Sequence, residues 1–288
     1  HPDIVKFIHD EVPSGLFRFE IGIQTVNQKA NLAVSRKQNF DKTAAIIKQL
    51  DSKIEMHLDL IVGLPFDEWD DIKHSIEEVF NLHPPELQLG FLKFLRGTPM
   101  RNKQDEHDYR FDNNPPYQII ESKYLSTSEL EKIEMIEEAL EIYWNKKRCI
   151  NTLKYVSRKY SVFEFLLQTG MHFNRHRDFH KHSLHDIYDV IWAVAGEYYP
   201  DDEILKSLIA IDYYLNGKVK PQVRYIFEIQ REERQRLIDS LGLNQNKFRY
   251  IVIKPGFNFG QFENDGSIML SNANLIFQYN GLEKATVV

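Results

Sequence analysis

Arg18-Phe19-Glu20-Ile21-Gly22-Ile23-Gln24-Thr25 and Asp59-Leu60-Ile61-Val62-Gly63-Leu64-Pro65 are the stretches on which the reading of this chain turns. Each is a short run of strand length, and in an extended segment alternate residues share a face. Glu20, Gly22 and Gln24 therefore lie on one face of the first, Asp59 and Ile61 on one face of the second. The strands are expected over Arg18 to Gln24 and Met56 to Val62, with a third over Leu87 to Phe94 that ends near Gly97-Thr98-Pro99. Between them Phe40 to Leu50 carries Ala44, Ile47 and Leu50 at helical spacing, and Trp69 to Leu82 carries Trp69, Ile72, Ile76, Val79 and Phe80. The order strand, helix, strand, helix, strand predicts a parallel sheet with right-handed crossovers, either a barrel or an open doubly wound sheet. In such a sheet the polar groups at the strand ends reach the active face, and Gly63 permits close backbone approach to a ligand.

From Arg101 to Leu125 the chain is polar, with Pro115 and Pro116 adjacent, and reads as a linker or a loop laid over the barrel mouth. Beyond it helices dominate. Ser128 with Glu131 forms a capping-box pattern opening a helix that carries Leu130, Ile133, Ile136, Leu140 and Tyr143, and Ser161 with Glu164 repeats the signal. Leu184, Ile187, Ile191 and Val194 make another apolar stripe, and Ile204, Leu208, Ile211 and Leu215 a further one, with Gly242 expected to end the last helix. The tail, with Tyr250 to Ile253, Ile268 and Leu270, and Leu275 to Tyr279, predicts a small antiparallel sheet turning at Gly256, Gly266 and Gly281. The domains expected are 1–100, a connecting or capping segment 101–127, and a mainly helical domain 128–288 that ends in the small sheet.

Composition bounds the chemistry. The 288 residues are 42% hydrophobic and 27% charged, the make-up of a soluble globular protein, and the net charge of −6 disfavours sequence-independent nucleic-acid binding. No apolar run approaches the roughly 20 residues that span a bilayer, so a cytoplasmic protein without a membrane partner is expected. A single cysteine, Cys149, allows neither a disulfide framework nor a cysteine-rich metal site within one chain.

Taken in order, Glu20 to Thr25 (E-x-G-x-Q-[ST]), Arg36 twelve residues after the glutamine, Asp59 to Pro65 (D-x-I-x-G-L-P) and Gly97 to Pro99 resemble the second half of the radical-SAM barrel. The likeness is to the cobalamin-binding and coproporphyrinogen-dehydrogenase-like branches and covers about residues 1 to 100. It implies an α/β fold: a partial (β/α) barrel followed by the helical domain with its antiparallel tail. It also implies an enzyme that binds S-adenosylmethionine, with Gln24 and Asp59 on the ribose and Arg36 on the methionyl carboxylate. Glu20 and Gly63 complete the cofactor-binding set, with a polar network inside the barrel as the alternative for Glu20; no catalytic residue and no metal ligand is assigned. The chemistry agrees, since amides and carboxylates bond hydroxyls and a guanidinium forks onto a carboxylate.

The departure from the family is the cysteine loop that holds its four-iron cluster. With Cys149 alone, the expectation is a fragment that is inert by itself. Its parent would carry the cluster, and cobalamin too if it follows that branch, and its partner would be the N-terminal half of the same protein. A strand at Arg18 to Gln24 without neighbours on its outer side predicts a sticky edge, covered by the N-terminal helix, the tail or a second copy. The alternative is a non-catalytic interaction module built on the histidine-rich segment. There His172, His176 and His180 are expected on one helix face, with His182 and His185 following; such spacing suits zinc or nickel, but the interleaved Arg175, Arg177 and Lys181 favour a solvated basic face.

Overall fold

A computed structural model describes residues 2–222, 225–226 and 229–288. The fold is mixed α/β: many helices, small sheets, and an antiparallel sheet at the C-terminus. Two compact units divide it, one made of His1–Glu141 with Tyr160–Met171 and the other of Ile142–Lys159 with His172–Val288.

The first unit opens with α1 (Pro2–Glu11), β1 (Arg18–Gln24), α2 (Gln28–Ala33), α3 (Phe40–Leu50), β2 (Glu55–Val62), α4 (Trp69–Phe80) and β3 (Glu86–Phe91). The three strands form one parallel sheet in chain order, β1-β2-β3. Alternation then sorts the side chains. Ile23, Met56, Leu58, Leu60, Val62, Leu87 and Leu89 are buried on one face, and α4, with Ile72, Ile76, Val79 and Phe80 buried, packs on β2. The other face carries Glu20 and Gly22, then His57, Asp59 and Ile61, then Glu86, Gln88 and Gly90 across the register. Among the described residues β1 pairs with β2 alone, so it is an edge strand.

The third strand stops at Phe91, short of the expected Phe94, and Gly97-Thr98-Pro99 leads into the short helix α5 (Pro99–Asn102) instead of closing a strand. The polar stretch from 101 onward is packed, not a free linker. After a 3-10 turn (Gln104–His107), β4 (Arg110–Phe111) and β5 (Ile119–Glu121) form a hairpin, and Lys93 bridges Gln118. Aromatic contacts fix it: Phe94 stacks on Phe111 at 4.5 Å and meets Tyr109 at 4.8 Å, while the guanidinium of Arg101 covers Phe111. Polarity hid these contacts, because so much of the segment's apolar surface is aromatic and scattered.

Helix α6 (Thr127–Leu140) also belongs to the first unit, so the unit extends past the expected boundary at 128. Its capping box is Ser126 with Glu129, two residues before the expected Ser128 and Glu131. A π-turn (Glu141–Asn145) and α7 (Ile150–Lys159) follow, then α8 (Val162–His176), whose residues up to Met171 return to the first unit. There Gly170 lies so close to the Met135 carbonyl of α6 that a Cβ would collide with it.

The rest of the second unit comprises α9 (Leu184–Tyr198), α10 (Glu203–Asn216), α11 (Arg231–Ser240), β6 (Arg249–Ile253), α12 (Phe259–Asp265), β7 (Leu275–Tyr279) and β8 (Thr286–Val287). Gly242, at φ +62°, follows α11 as expected, yet α12 comes after it and is the last helix. The tail sheet is antiparallel in the order β6-β7-β8; Ile268 to Leu270 form no strand, and Leu270 makes only an isolated bridge to Phe257. Asp212 of α10, buried at 3% exposure, anchors α7 by accepting from Thr152 N and Oγ1 at 2.8 and 2.7 Å and from Asn151 Nδ2 at 2.9 Å. Burial pushes this carboxyl up to about 6, against the pull of those bonds.

Candidate functional site

The polar face of the parallel sheet owes its shape to an irregularity at the end of β1. Gly22 pairs with Asp59 but Gln24 pairs with Leu60, so β1 spends one residue more than β2 and bulges at Ile23. Gln24 takes φ +68°, a left-handed conformation that a non-glycine residue adopts only when its surroundings hold it there, and Thr25 N donates back to Ile23 O at 2.9 Å. The side chain of Gln24 thereby folds over Gly22, with Nε2 in the space that a Cβ on residue 22 would occupy. Arg36 arrives from the end of α2, its N bonded to Asn31 O at 2.8 Å, and donates from Nη2 to Gly22 O at 2.9 Å. Its Nη1 lies 3.6 Å from the same Cβ position.

The structure therefore brings Gln24 and Arg36 together over Gly22, and Asp59 stands beside Gly22 on the neighbouring strand, on the same face. Burial raises the Asp59 carboxyl above its usual range; Glu20 and Glu86 push the same way and His57 opposes them. Glu20 lies on this face two residues before Gly22 and is exposed. Gly63 is not part of this convergence. At φ +92° past the end of β2, it is approached by Ile119 Cδ1, 2.7 Å from its would-be Cβ, and its carbonyl accepts from Tyr109 Oη at 2.8 Å. The group that uses the absence of a side chain there is this chain's own hairpin.

Sequence reasoning missed two neighbouring clusters. On the same face, buried His57 places Nδ1 2.9 Å from Glu86 Oε2 and 2.7 Å from Arg18 Nη2, with Nε2 3.3 Å from Glu55 Oε1. A guanidinium only donates, so Nδ1 accepts from Arg18 when bare and donates to Glu86 when protonated. The signal was available, since His57 precedes Asp59 by two and shares its face. At the strand end Thr25 Oγ1 donates to Asp67 Oδ1 at 3.1 Å and lies 3.1 Å from Ser75 Oγ, while Asn27 caps α2 and Asn31 Nδ2 donates to Thr25 O at 2.7 Å. Asp67 is 1% exposed, and burial pushes its carboxyl up to about 7. This network fixes the turn that carries Gln24 and Arg36. Beside it a cleft of about 310 Å³ is lined by Arg36 with Gln28, Asn31, Leu32, Lys37 and Gln38.

In the second unit the histidine segment differs from the expectation. α8 stops at His176, so His172 and His176 share a helix face but His180 does not; it lies in a turn closed by the Asp178–Lys181 bridge. Among the described residues no three His, Cys, Asp or Glu side chains gather as a metal site. Cys149 is wholly buried, and burial pushes its thiol up. No helix among the described residues is long and apolar enough to cross a membrane.

The chain is similar to Uncharacterized protein YtqA of Bacillus subtilis (strain 168), 23% identical over 116 residues, which are 40% of this chain and 36% of that protein. It thus matches about a third of that relative's length. The family model described as Protein of unknown function (DUF4080) matches residues 105–264, a stretch that begins after β3 and ends within α12. That stretch is more than half of the 288 residues, and the chain belongs to the DUF4080 family.

Proposed function

We infer that the polar face of the β1-β2-β3 sheet is the S-adenosylmethionine-contacting part of a radical-SAM barrel, and that this chain works as part of a longer enzyme of that kind. The observation that carries the reading is the convergence of the Gln24 amide and the Arg36 guanidinium over Gly22, next to Asp59 on the adjacent strand. Arg36 offers a planar fork for the methionyl carboxylate, and Gln24 and Asp59 offer an amide and a carboxylate for the two ribose hydroxyls. Glu20 adds negative charge on the same face, where a sulfonium gains from it. Gly22, without a side chain, leaves room for the Gln24 amide to lie across the polar face. When bound, S-adenosylmethionine supplies an activated adenosyl group; this chain's part is to hold and orient it.

The four-iron cluster does not fit the residues present. Three thiolates are needed, and the one cysteine is wholly buried in the other unit with its thiol held protonated. In this reading the cluster comes from the remainder of the barrel, and cobalamin, if the enzyme uses it, from outside this chain as well. A sheet with one charged face and, among the described residues, an unpartnered edge at β1 suits that role, because a barrel turns such a face inward and pairs such an edge. The N-terminal half of the same protein is the partner proposed for the edge; a second copy is the substitute when that half is absent.

Equilibrium dialysis of the full chain against labelled S-adenosylmethionine tests the reading. Saturable binding is expected, weakened at least about tenfold, or roughly 1.4 kcal/mol, in Arg36→Ala and in Asp59→Asn. Absence of binding, or binding that neither substitution alters, would overturn it.

A further inference from the structure

The second unit holds a pair of imidazoles for which the chemistry proposed on the sheet has no use. His172 and His176 stand one turn apart at the end of α8, ring centroids 4.5 Å from each other and planes tilted by 47°. They line a cleft of about 340 Å³ whose other walls are Arg177 and, from α9, Asp189, Val190 and Ala193. Nδ1 of His172 is buried and has no hydrogen-bond partner.

Arg177 and Asp189, the charged groups that line the cleft, have partners of their own. Arg177 Nε lies 2.8 Å from Asp186 Oδ1, and its Nη1 donates to His176 O at 2.9 Å. Asp189 Oδ1 accepts from Tyr225 Oη at 2.7 Å, and its Oδ2 lies 3.2 Å from His185 Nε2. Arg175 and Glu197 act on His172 with opposite sign. To these the pair adds imidazole nitrogen, of which Nδ1 of His172 has no hydrogen-bond partner. Two such nitrogens at i and i+4 of a helix chelate one ion, and nitrogen donors select zinc, nickel or copper over calcium or magnesium, which demand oxygen. Because no third protein ligand gathers with the pair among the described residues, such a site is open, its other positions left to water or to a small anion.

We propose that His172 and His176 chelate a divalent transition-metal ion of the zinc class in the α8–α9 cleft. The proposal stands apart from the reading of the sheet. The full chain, stripped with a chelator, is titrated with Zn²⁺ alone by calorimetry and with Co²⁺ by visible absorbance. One ion per chain is expected, with affinity lowered at least about tenfold in His176→Ala and His172→Ala and unchanged in His180→Asn. His176 is exposed, so its replacement leaves the fold in place. No binding by the unaltered chain, or a loss that follows His180→Asn in place of His176→Ala, would overturn the site.

Discussion

The two three-stranded sheets use their faces in opposite ways. In β6 and β7 both faces are apolar and buried: Tyr250, Ile251, Val252 and Ile253 on one strand, Leu275, Ile276, Phe277 and Tyr279 on the other. In β1 to β3 one face is as apolar as those, while the other presents Glu20, His57, Asp59, Glu86 and Gln88. A row of charges on a sheet face contributes little to stability and costs free energy wherever it is partly desolvated, as at Asp59. The tail sheet is thus a core element, and the parallel sheet trades part of its stability for a chemically furnished surface.

The largest effect expected from this contrast is on unfolding. Phe277→Ala, at a fully buried position of the tail sheet, should cost about 3–5 kcal/mol, whereas Glu20→Gln on the exposed face of the parallel sheet should stay within about 0.5 kcal/mol. Urea denaturation followed by circular dichroism reads both, and comparable losses would break the comparison. Next in size is Asp212, the polar group that the second unit buries because α7 saturates it with hydrogen bonds. Asp212→Ala should cost about 2 kcal/mol in the same assay by leaving those donors without an acceptor.

A smaller effect comes from pH. Asp67 and Asp212 have folded-state values raised to about 7 and about 6, above the unfolded carboxyl value. Each therefore favours the folded state most fully below the unfolded value, near about 4, and that contribution is lost as pH rises through the folded values. Unfolding midpoints measured from pH 4 to pH 8 should show this decline, and Asp67→Asn should flatten its upper part, where Thr25 and the turn that carries Gln24 depend on the buried network. An unchanged slope in that variant would remove Asp67 from the account.

Much of the first unit was legible in the sequence. β1 and α3 have the expected bounds, and β2 begins one residue early, because alternation and helical spacing are local signals. Where local signals overlap, the sequence alone is ambiguous. Ser126-Thr127-Ser128-Glu129-Leu130-Glu131 contains two superposed capping frames, and the helix uses the earlier one. Phe259 and Phe262 form the buried side of α12, a helix too short for its period to stand out between glycines. The residue types at the site were legible, and the resemblance implied that Gln24, Arg36 and Asp59 converge at the strand ends, but the local shape of that end was not. It depends on the bulge at Ile23 and the left-handed Gln24, and a strict two-residue alternation contains neither. Gly63 shows the converse, a glycine set in a suggestive motif whose open side is filled by Ile119.

The most direct test of the central claim is a crystal structure of the chain grown with S-adenosylmethionine. The account predicts the ligand on the polar face of the parallel sheet, its carboxylate within hydrogen-bonding distance of Arg36 and its ribose hydroxyls on Asp59 and Gln24. Density for the ligand at any other place, or crystals in which Arg36 still bonds Gly22 O and that face stays free of ligand at saturating concentration, would contradict it.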